Sequence, residues 1–334
     1  HPDNVRVFVE LGRAMLASDD PKAAESALKT ALKLDEESLT ARVLMGDVHA
    51  AKGKFTRARK EYGTALEIDS AYIPARLRIA LAWHRGGKPE KAIEDLKTLL
   101  GPDNLPRLVA GHWLLASILD DTGDVDGAIA ALNQILAISK EDPRALMAKG
   151  HLLLKQNKPM DAVAVYTKVA ELRPRSPEPQ FCIGWAHEKS ADAPEIKEEE
   201  MIKRLKLAAE AYEKCAGMDP GVRPRDSVGF VSLLAGMHVE AVTQFRRATD
   251  IDPKFAPALN NLGLADDLAD NRSKAKTRYE NVIKKIDKKN VRAHVMLALD
   301  LWVDGSHNKA IKELEKALKI NPDDDLAWTF VGDI

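Results

Sequence analysis

The feature that most restricts the fold of this chain is a motif of about 34 residues that recurs along nearly its whole length. One place in the motif always carries glycine or alanine, and it recurs in steps of 34, 34, 36, 34, 34, 45, 34, 35 and 34 residues. The residues at this place are Gly12, Gly46, Ala80, Ala116, Gly150, Gly184, Gly229, Gly263, Ala298 and Gly332. A fixed period between about 20 and 50 residues is typical of architectures in which each copy packs on its neighbours.

Each copy of the motif predicts two antiparallel helices and a tight turn. In residues 39–70 the apolar residues follow a helical spacing, stop at Gly53-Lys54 and then resume. Gly46 and Ala58 are small because two short helices can cross closely only where the side chains are small, and Tyr62 fills the space beside the crossing.

The second small place and the bulky place recur in phase with the first. The second small place holds Ala24, Ala58, Ala92, Ala128, Ala162, Ala208, Ala241, Ala275 and Ala310. It lies 12 residues after the first place in every copy except the sixth, where the gap is 24. Four residues later come Leu28, Tyr62, Leu96, Leu132, Tyr166, Tyr212, Phe245, Tyr279 and Leu314.

This pattern resembles that of the tetratricopeptide repeat family. The residues that carry the resemblance are Leu262-Gly263 with Ala275 and Tyr279, then Gly150 with Ala162, Tyr166 and Pro174, and Trp328 in the last copy. The resemblance implies an all-α fold, an α-α superhelical solenoid of antiparallel helix pairs, right-handed, whose first helices line a concave groove. It also implies that the chain holds other proteins.

We expect a single solenoid over residues 1–334. Its repeats are predicted near 5–38, 39–72, 73–108, 109–142, 143–176, 177–221, 222–255, 256–290 and 291–324, with a partial copy at 325–334. The sixth repeat carries a 12-residue insertion, which we predict lengthens its helices, with the second helix running from near Pro194 to about Ala216. In the seventh repeat, Pro224 predicts a short first helix from about Arg225 to Leu234.

Composition restricts the function more than the fold. The chain of 334 residues has 45% hydrophobic and 30% charged residues and a net charge of -1, so it lacks the overall basic excess of many nucleic-acid-binding proteins. Residues 272–292 hold nine basic and two acidic residues, which we interpret as a solvated outer face in preference to a nucleic-acid site. Cys182 and Cys215 fall in the sixth repeat, and we predict buried free thiols in preference to a disulfide.

No catalytic or metal-binding motif is found. The nine histidines are scattered, without the spacing of a zinc protease, and there is no phosphate-binding loop, dinucleotide motif or nucleophile elbow. We therefore predict no cofactor, no metal and no enzymatic activity, and no apolar run is long enough to span a membrane. The chain begins at His1-Pro2 and stops at Ile334 within an expected helix, so we interpret it as a fragment.

The predicted partner-binding residues lie on first helices, with Arg78 in repeat three and the others in repeats four to seven. Inward positions at the spacing i, i+4, i+7 place large side chains along one path, with arginines available for acidic flanks. The residues are Trp113, Met147, His151, Phe181, Trp185 and Phe230, with Arg78 and Arg144. Aromatic and Met side chains on a concave wall are typical of binding hot spots, so we predict an apolar or amphipathic segment as ligand. Alternatively, Phe181 and Met147 pack against the next repeat.

Three functions remain open at this point. The first is a scaffold that binds a peptide or helix of a protein partner in its groove. The second is a structural subunit of a secretion, pilus or exopolysaccharide machine, which binds other subunits or copies of itself through its outer surface. The third is the regulatory arm of an enzyme whose catalytic domain lies elsewhere.

Overall fold

A computed structural model describes residues 4–333, and over that range it contains nineteen α-helices, one π-helical turn and no strand. The ends on which the interpretation as a fragment rests, residues 1–3 and 334, lie outside the described residues. The contacts divide the chain into two compact units, which meet in sequence at Gln156 and Asn157. We call them the N-terminal and the C-terminal unit.

The N-terminal unit holds nine helices. They are α1 (Val5–Ala17), α2 (Pro21–Leu34), α3 (Leu39–Ala51), α4 (Phe55–Ile68), α5 (Ile73–Arg85), α6 (Pro89–Leu99), α7 (Val109–Asp121), α8 (Val125–Ile138) and α9 (Pro143–Lys155). Each helix packs on the next one, and each odd-numbered helix up to α7 also reaches the odd-numbered helix before or after it. The 36-residue step from Ala80 to Ala116 corresponds to a long loop between α6 and α7, residues 100–108.

The C-terminal unit holds ten helices and the π-helical turn. They are α10 (Pro159–Leu172), α11 (Pro177–Ala191), α12 (Glu198–Met218), α13 (Val222–Leu234), α14 (His238–Ile251), α15 (Ala256–Leu268), α16 (Arg272–Asn281), the π-helical turn Val282–Ile286, α17 (Val291–Val303), α18 (His307–Ile320) and α19 (Asp325–Asp333). Consecutive helices again pack in pairs, so both units are all-α arrays of helix pairs.

The bulky side chains fit against the glycines as the repeat pattern predicts. A Cβ atom added at Gly46 would lie 2.2 Å from the ring of Tyr62, and one at Gly263 would lie 2.4 Å from that of Tyr279. Tyr62 and Tyr279 are almost fully buried, so their rings have no free space into which to move. The small residue is therefore needed for the two helices to pack at this distance.

The turn within a helix pair has the same conformation in every complete repeat except the sixth. Seven residues after the first small place, the backbone is left-handed in eight repeats: Asp19, Gly53, Gly87, Gly123, Asn157, Gly236, Asp270 and Gly305. Glycine, asparagine and aspartate are the residues that adopt this conformation most readily, and it ends the first helix. At the start of α2, Asp20 caps the helix: its side chain accepts a hydrogen bond from the N–H of Ala23 at 2.9 Å, and Pro21 is the first helical residue.

The sixth repeat differs in detail from the prediction. Its second helix, α12, is longer than the usual second helix, with 21 residues against 14 in α10, as we expected of the insertion. However, α12 begins at Glu198 and not near Pro194. Three consecutive glutamates occupy its first turn, where the positive end of the helix dipole stabilises carboxylates.

The predicted start of the first helix in the seventh repeat is wrong as well. Helix α13 begins at Val222, three residues before the predicted Arg225, and has 13 residues with Pro224 in its first turn. The first N–H groups of a helix have no acceptor within the helix, so proline there removes no hydrogen bond.

Candidate partner-binding surface on the first helices

In the N-terminal unit, helices α3, α5 and α7 form an open hollow of about 360 Å³. Its floor is largely aliphatic and includes Leu77, Leu81 and Leu114, while Asp47, Arg78 and Arg85 add charge. Leu77 and Leu81 lie one helical turn apart on α5, so they face the same side. The hollow can therefore receive an apolar side chain with an acidic group beside it.

Arg78, predicted to hold an acidic flank, already has a carboxylate partner. Its Nε donates to both oxygens of Asp47, at 2.7 and 2.9 Å, and the hydroxyl of Tyr62 donates to the same carboxylate at 2.8 Å. Burial and the adjacent Asp47 raise the pKa of Tyr62 well above its usual value, so the hydroxyl keeps its proton. Arg85 is exposed and makes no ion pair among the described residues, so it is the arginine free to bind an acidic group.

The other predicted residues of this unit have different environments. Trp113 is half-buried, and the guanidinium of Arg144 lies 5.5 Å from its ring centroid, within the range of a cation–π interaction. Met147 is buried, with 8% of its surface exposed, so it offers little surface to a ligand. His151 is exposed.

In the C-terminal unit, Trp185 is the most accessible of the predicted aromatic residues. It lies on α11 with 38% of its surface exposed. Phe181, one turn earlier, is half-buried and its ring centroid is 5.1 Å from that of Tyr212, so it is partly used in packing the repeat. Phe230 on α13 is also half-buried, and the guanidinium of Arg292 lies 6.0 Å from its ring.

Polar contacts between neighbouring first helices were missed by the sequence analysis. Asn261 on α15 donates from Nδ2 to Asp226 on α13 at 2.9 Å. Burial raises the pKa of Asp226 to about 6, although this hydrogen bond and Arg292 favour the carboxylate. The partners in this pair and in Asp47–Arg78 are 35 and 31 residues apart, close to one repeat length. Polar residues separated by about one period were therefore the signal that could have identified these contacts.

Metal binding, thiol chemistry and membrane spanning can each be assessed from the described residues. Among them, no group of three or more His, Cys, Asp or Glu side chains is placed to hold a metal ion. Cys182 and Cys215 are both buried and unbonded to each other, and burial raises their thiol pKa values to about 12 and about 11. No described helix is both long enough and apolar enough to cross a membrane.

Sequence profiles of the tetratricopeptide repeat match residues 9–73 and 77–143, 121–181, and 291–324. Together these ranges cover more than half of the chain. The chain belongs to the tetratricopeptide repeat family. Its fold is accordingly an all-α solenoid of helix pairs, which implies a scaffold for protein–protein interaction.

The comparisons found one similar sequence and several similar solved structures, of which two are described here. "Tetratricopeptide repeat protein 8" of Caenorhabditis elegans is 29% identical over 96 residues, which are 29% of this chain and only 19% of that protein. The C-terminal part of a TPR repeat-containing protein from Cytophaga hutchinsonii has a TM-score of 0.59 at 13% identity, over 76% of this chain and 99% of that one. A chain of the APC/C hetero-tetramer Cut9–Hcn1 has a TM-score of 0.49 at 17% identity, over 95% of this chain and 59% of that one.

Proposed function

We propose that this chain is a non-enzymatic scaffold whose first helices hold an apolar or amphipathic segment of a protein partner. The observation that supports this most directly is the exposure of Trp185 on a first helix. An exposed tryptophan leaves a large apolar surface in contact with water, which is unfavourable. At an interface the same surface is buried, and tryptophan is enriched among binding hot spots.

The hollow on α3, α5 and α7 supports the same function in the N-terminal unit. An aliphatic side chain of the ligand contacts Leu77, Leu81 and Leu114, and an acidic neighbour pairs with Arg85. Arg144 holds a second acidic group while it lies over Trp113. These contacts favour a segment that alternates apolar and acidic residues, because each apolar site has an arginine beside it.

The test is affinity capture from the native extract with three baits: the unmodified chain, Trp185→Glu and Val239→Glu. Val239 is the matched control, since it is 84% exposed on the second helix α14 and its substitution makes the same charge change. Trp185→Glu should abolish capture of the partner, whereas Val239→Glu should retain it, and both variants should keep the helical spectrum and melting temperature.

Two outcomes contradict the proposal. If Trp185→Glu unfolds the protein while Val239→Glu does not, Trp185 is a packing residue and not a contact residue. If Trp185→Glu captures the partner normally and Val239→Glu does not, the partner binds the outer surface, as expected of an assembly subunit.

A further inference from the structure

The eighth repeat contains one extra residue, and the structure accommodates it inside a helix. From Gly263 to Ala298 the step is 35 residues, with 23 after Ala275 where 22 is the commonest number. Helix α16 changes at its end into the π-helical turn Val282–Ile286, whose hydrogen bonds span five residues where those of an α-helix span four. Such π-helical turns occur often at functional sites because they alter which side chains the helix presents.

A basic hollow of about 440 Å³ lies beside this turn. The π-helical turn contributes Ile283 and Lys284, the following loop contributes Lys288 and Lys289, and α18 contributes Lys316, Lys319 and Ile320. His294 of α17 also borders the hollow and is fixed between Glu313, 2.6 Å from Nδ1, and the carbonyl of Lys288, 3.1 Å from Nε2. The hollow thus has aliphatic walls and a rim of five ammonium groups.

Only two of the five ammonium groups are neutralised by neighbouring side chains. Lys284 pairs with Glu280 at 2.6 Å, and Lys316 pairs with Glu313 at 2.7 Å. The ammonium groups of Lys288, Lys289 and Lys319 make no ion pair or hydrogen bond with the described residues. The carboxylate of Asp287 accepts the backbone N–H of Lys289 at 2.9 Å and does not line the hollow.

The helix dipoles do not remove this excess of positive charge. The π-helical turn and α18 both end here, and each helix end carries about half a negative charge. Two ends offset about one of the three unpaired ammonium groups, so the hollow remains positive. An anion that enters it is therefore attracted.

We propose that this hollow is a second docking site, which binds an acidic segment of a partner protein that carries one aliphatic residue between carboxylates. The aliphatic side chain packs on Ile283 and Ile320, and the carboxylates pair with Lys288, Lys289 and Lys319. Ile320 is 36% exposed, so apolar surface is available for that contact. The aromatic ring in the lining, the imidazole of His294, is only 2% exposed and therefore offers no face on which a base could stack, which favours a peptide over a nucleic acid.

The test is fluorescence anisotropy of the full chain with a labelled peptide of sequence Glu-Glu-Leu-Glu-Glu. The double variant Lys288→Glu with Lys289→Glu should lower the affinity at least tenfold. Its matched control is Lys22→Glu with Lys33→Glu, two exposed lysines on α2 without ion pairs among the described residues, which should leave the affinity within twofold. Binding should also weaken from 0.1 M to 1 M salt, because the screening length falls from about 10 Å to about 3 Å.

A second pair of measurements isolates the aliphatic contact. Ile320→Ser should weaken binding of Glu-Glu-Leu-Glu-Glu but not that of Glu-Glu-Ser-Glu-Glu, and Gln-Gln-Leu-Gln-Gln should not bind. The proposal is overturned if the acidic peptide does not bind, if both lysine pairs lower affinity equally, or if a single-stranded oligonucleotide binds this hollow more tightly. Trp185→Glu should bind the peptide normally, which separates this site from the surface on the first helices.

Discussion

At the scale of single residues, the contact between glycine and tyrosine determines how closely a helix pair packs. The Gly46→Val substitution should destabilise the protein by about 1–3 kcal/mol, because the added side chain overlaps the buried ring of Tyr62. Tyr62 cannot turn away without losing its hydrogen bond to Asp47. Urea unfolding followed by circular dichroism measures the change.

Gly63 provides the opposite case on the adjacent helix. A Cβ atom there meets nothing within 4 Å, so Gly63→Ala should stabilise the protein by about 0.5–1 kcal/mol through helix propensity. If Gly46→Val and Gly63→Ala had effects of the same sign, the close contact between Gly46 and Tyr62 would not limit the stability.

Asp226 makes stability depend on pH. Burial raises its pKa from 3.8 to about 6, so the folded chain binds this proton more tightly than the unfolded chain. The stabilisation of the folded chain by this proton is complete below about pH 4, and it is lost as the pH rises through 6. Asp226→Asn keeps an acceptor for Asn261 and should therefore raise the free energy of unfolding at pH 7.5 by about 1–3 kcal/mol, with no gain at pH 4.

The matched control for Asp226→Asn is Asp103→Asn, in the exposed loop after α6. It should change stability by less than about 0.5 kcal/mol at either pH. Urea titrations at the two pH values measure both variants. An equal gain from Asp226→Asn at pH 4 and pH 7.5 would show that ionisation of this carboxyl does not cause the effect.

At the scale of helices, Arg204 connects the extended first turns of α12 to the end of α11. Its Nε donates to Glu200 at 3.0 Å and its Nη1 donates to the carbonyl of Ser190 at 2.6 Å. Arg204→Ala should therefore increase amide hydrogen exchange in residues 200–206, measured by mass spectrometry. Lys203→Ala is the control, since its side chain is 70% exposed and its only ion pair within the described part of the chain, with Glu200, is long at 3.7 Å. Equal exchange in the two variants would contradict the role of Arg204.

The helices were predictable from sequence because their causes are local and repeated nine times. The cap by Asp20 and the tight turn at Gly53 follow from residues within a few positions. The start of α12 was not predictable from sequence. Pro194 and the glutamates from Glu198 are both favourable at a helix start, and sequence alone does not rank them.

The candidate site was less predictable than the helices. A helical spacing of i, i+4, i+7 identifies a stripe but does not say how deep each side chain lies, so Met147 was grouped with Trp185 although it is far more buried. The partner of Arg78, Asp47, lies 31 residues away, beyond any local pattern. These properties depend on packing between repeats, which the period alone does not specify.

At the scale of the whole chain, an array of repeats should respond to damage locally. Each repeat contacts mainly its neighbours, so the effect of a substitution decays along the array. Gly46→Val should therefore lower hydrogen-exchange protection in α3 to α6, while α17 and α18 keep theirs. A uniform loss of protection across residues 4–333 would show that the chain unfolds as one cooperative body.

The π-helical turn has a practical consequence for aligning this chain with others of its kind. Sequence comparison ordinarily places a length difference in a loop. Here the additional residue lies within the helix, C-terminal to Tyr279, which contacts Gly263. A gap placed in the loop before α17 would shift Val282 to Ile286 by one position and pair each lysine with the wrong counterpart. Relatives with a 34-residue eighth repeat should then lack the bulge, and with it the orientation of Ile283 and Lys284 that defines the basic hollow.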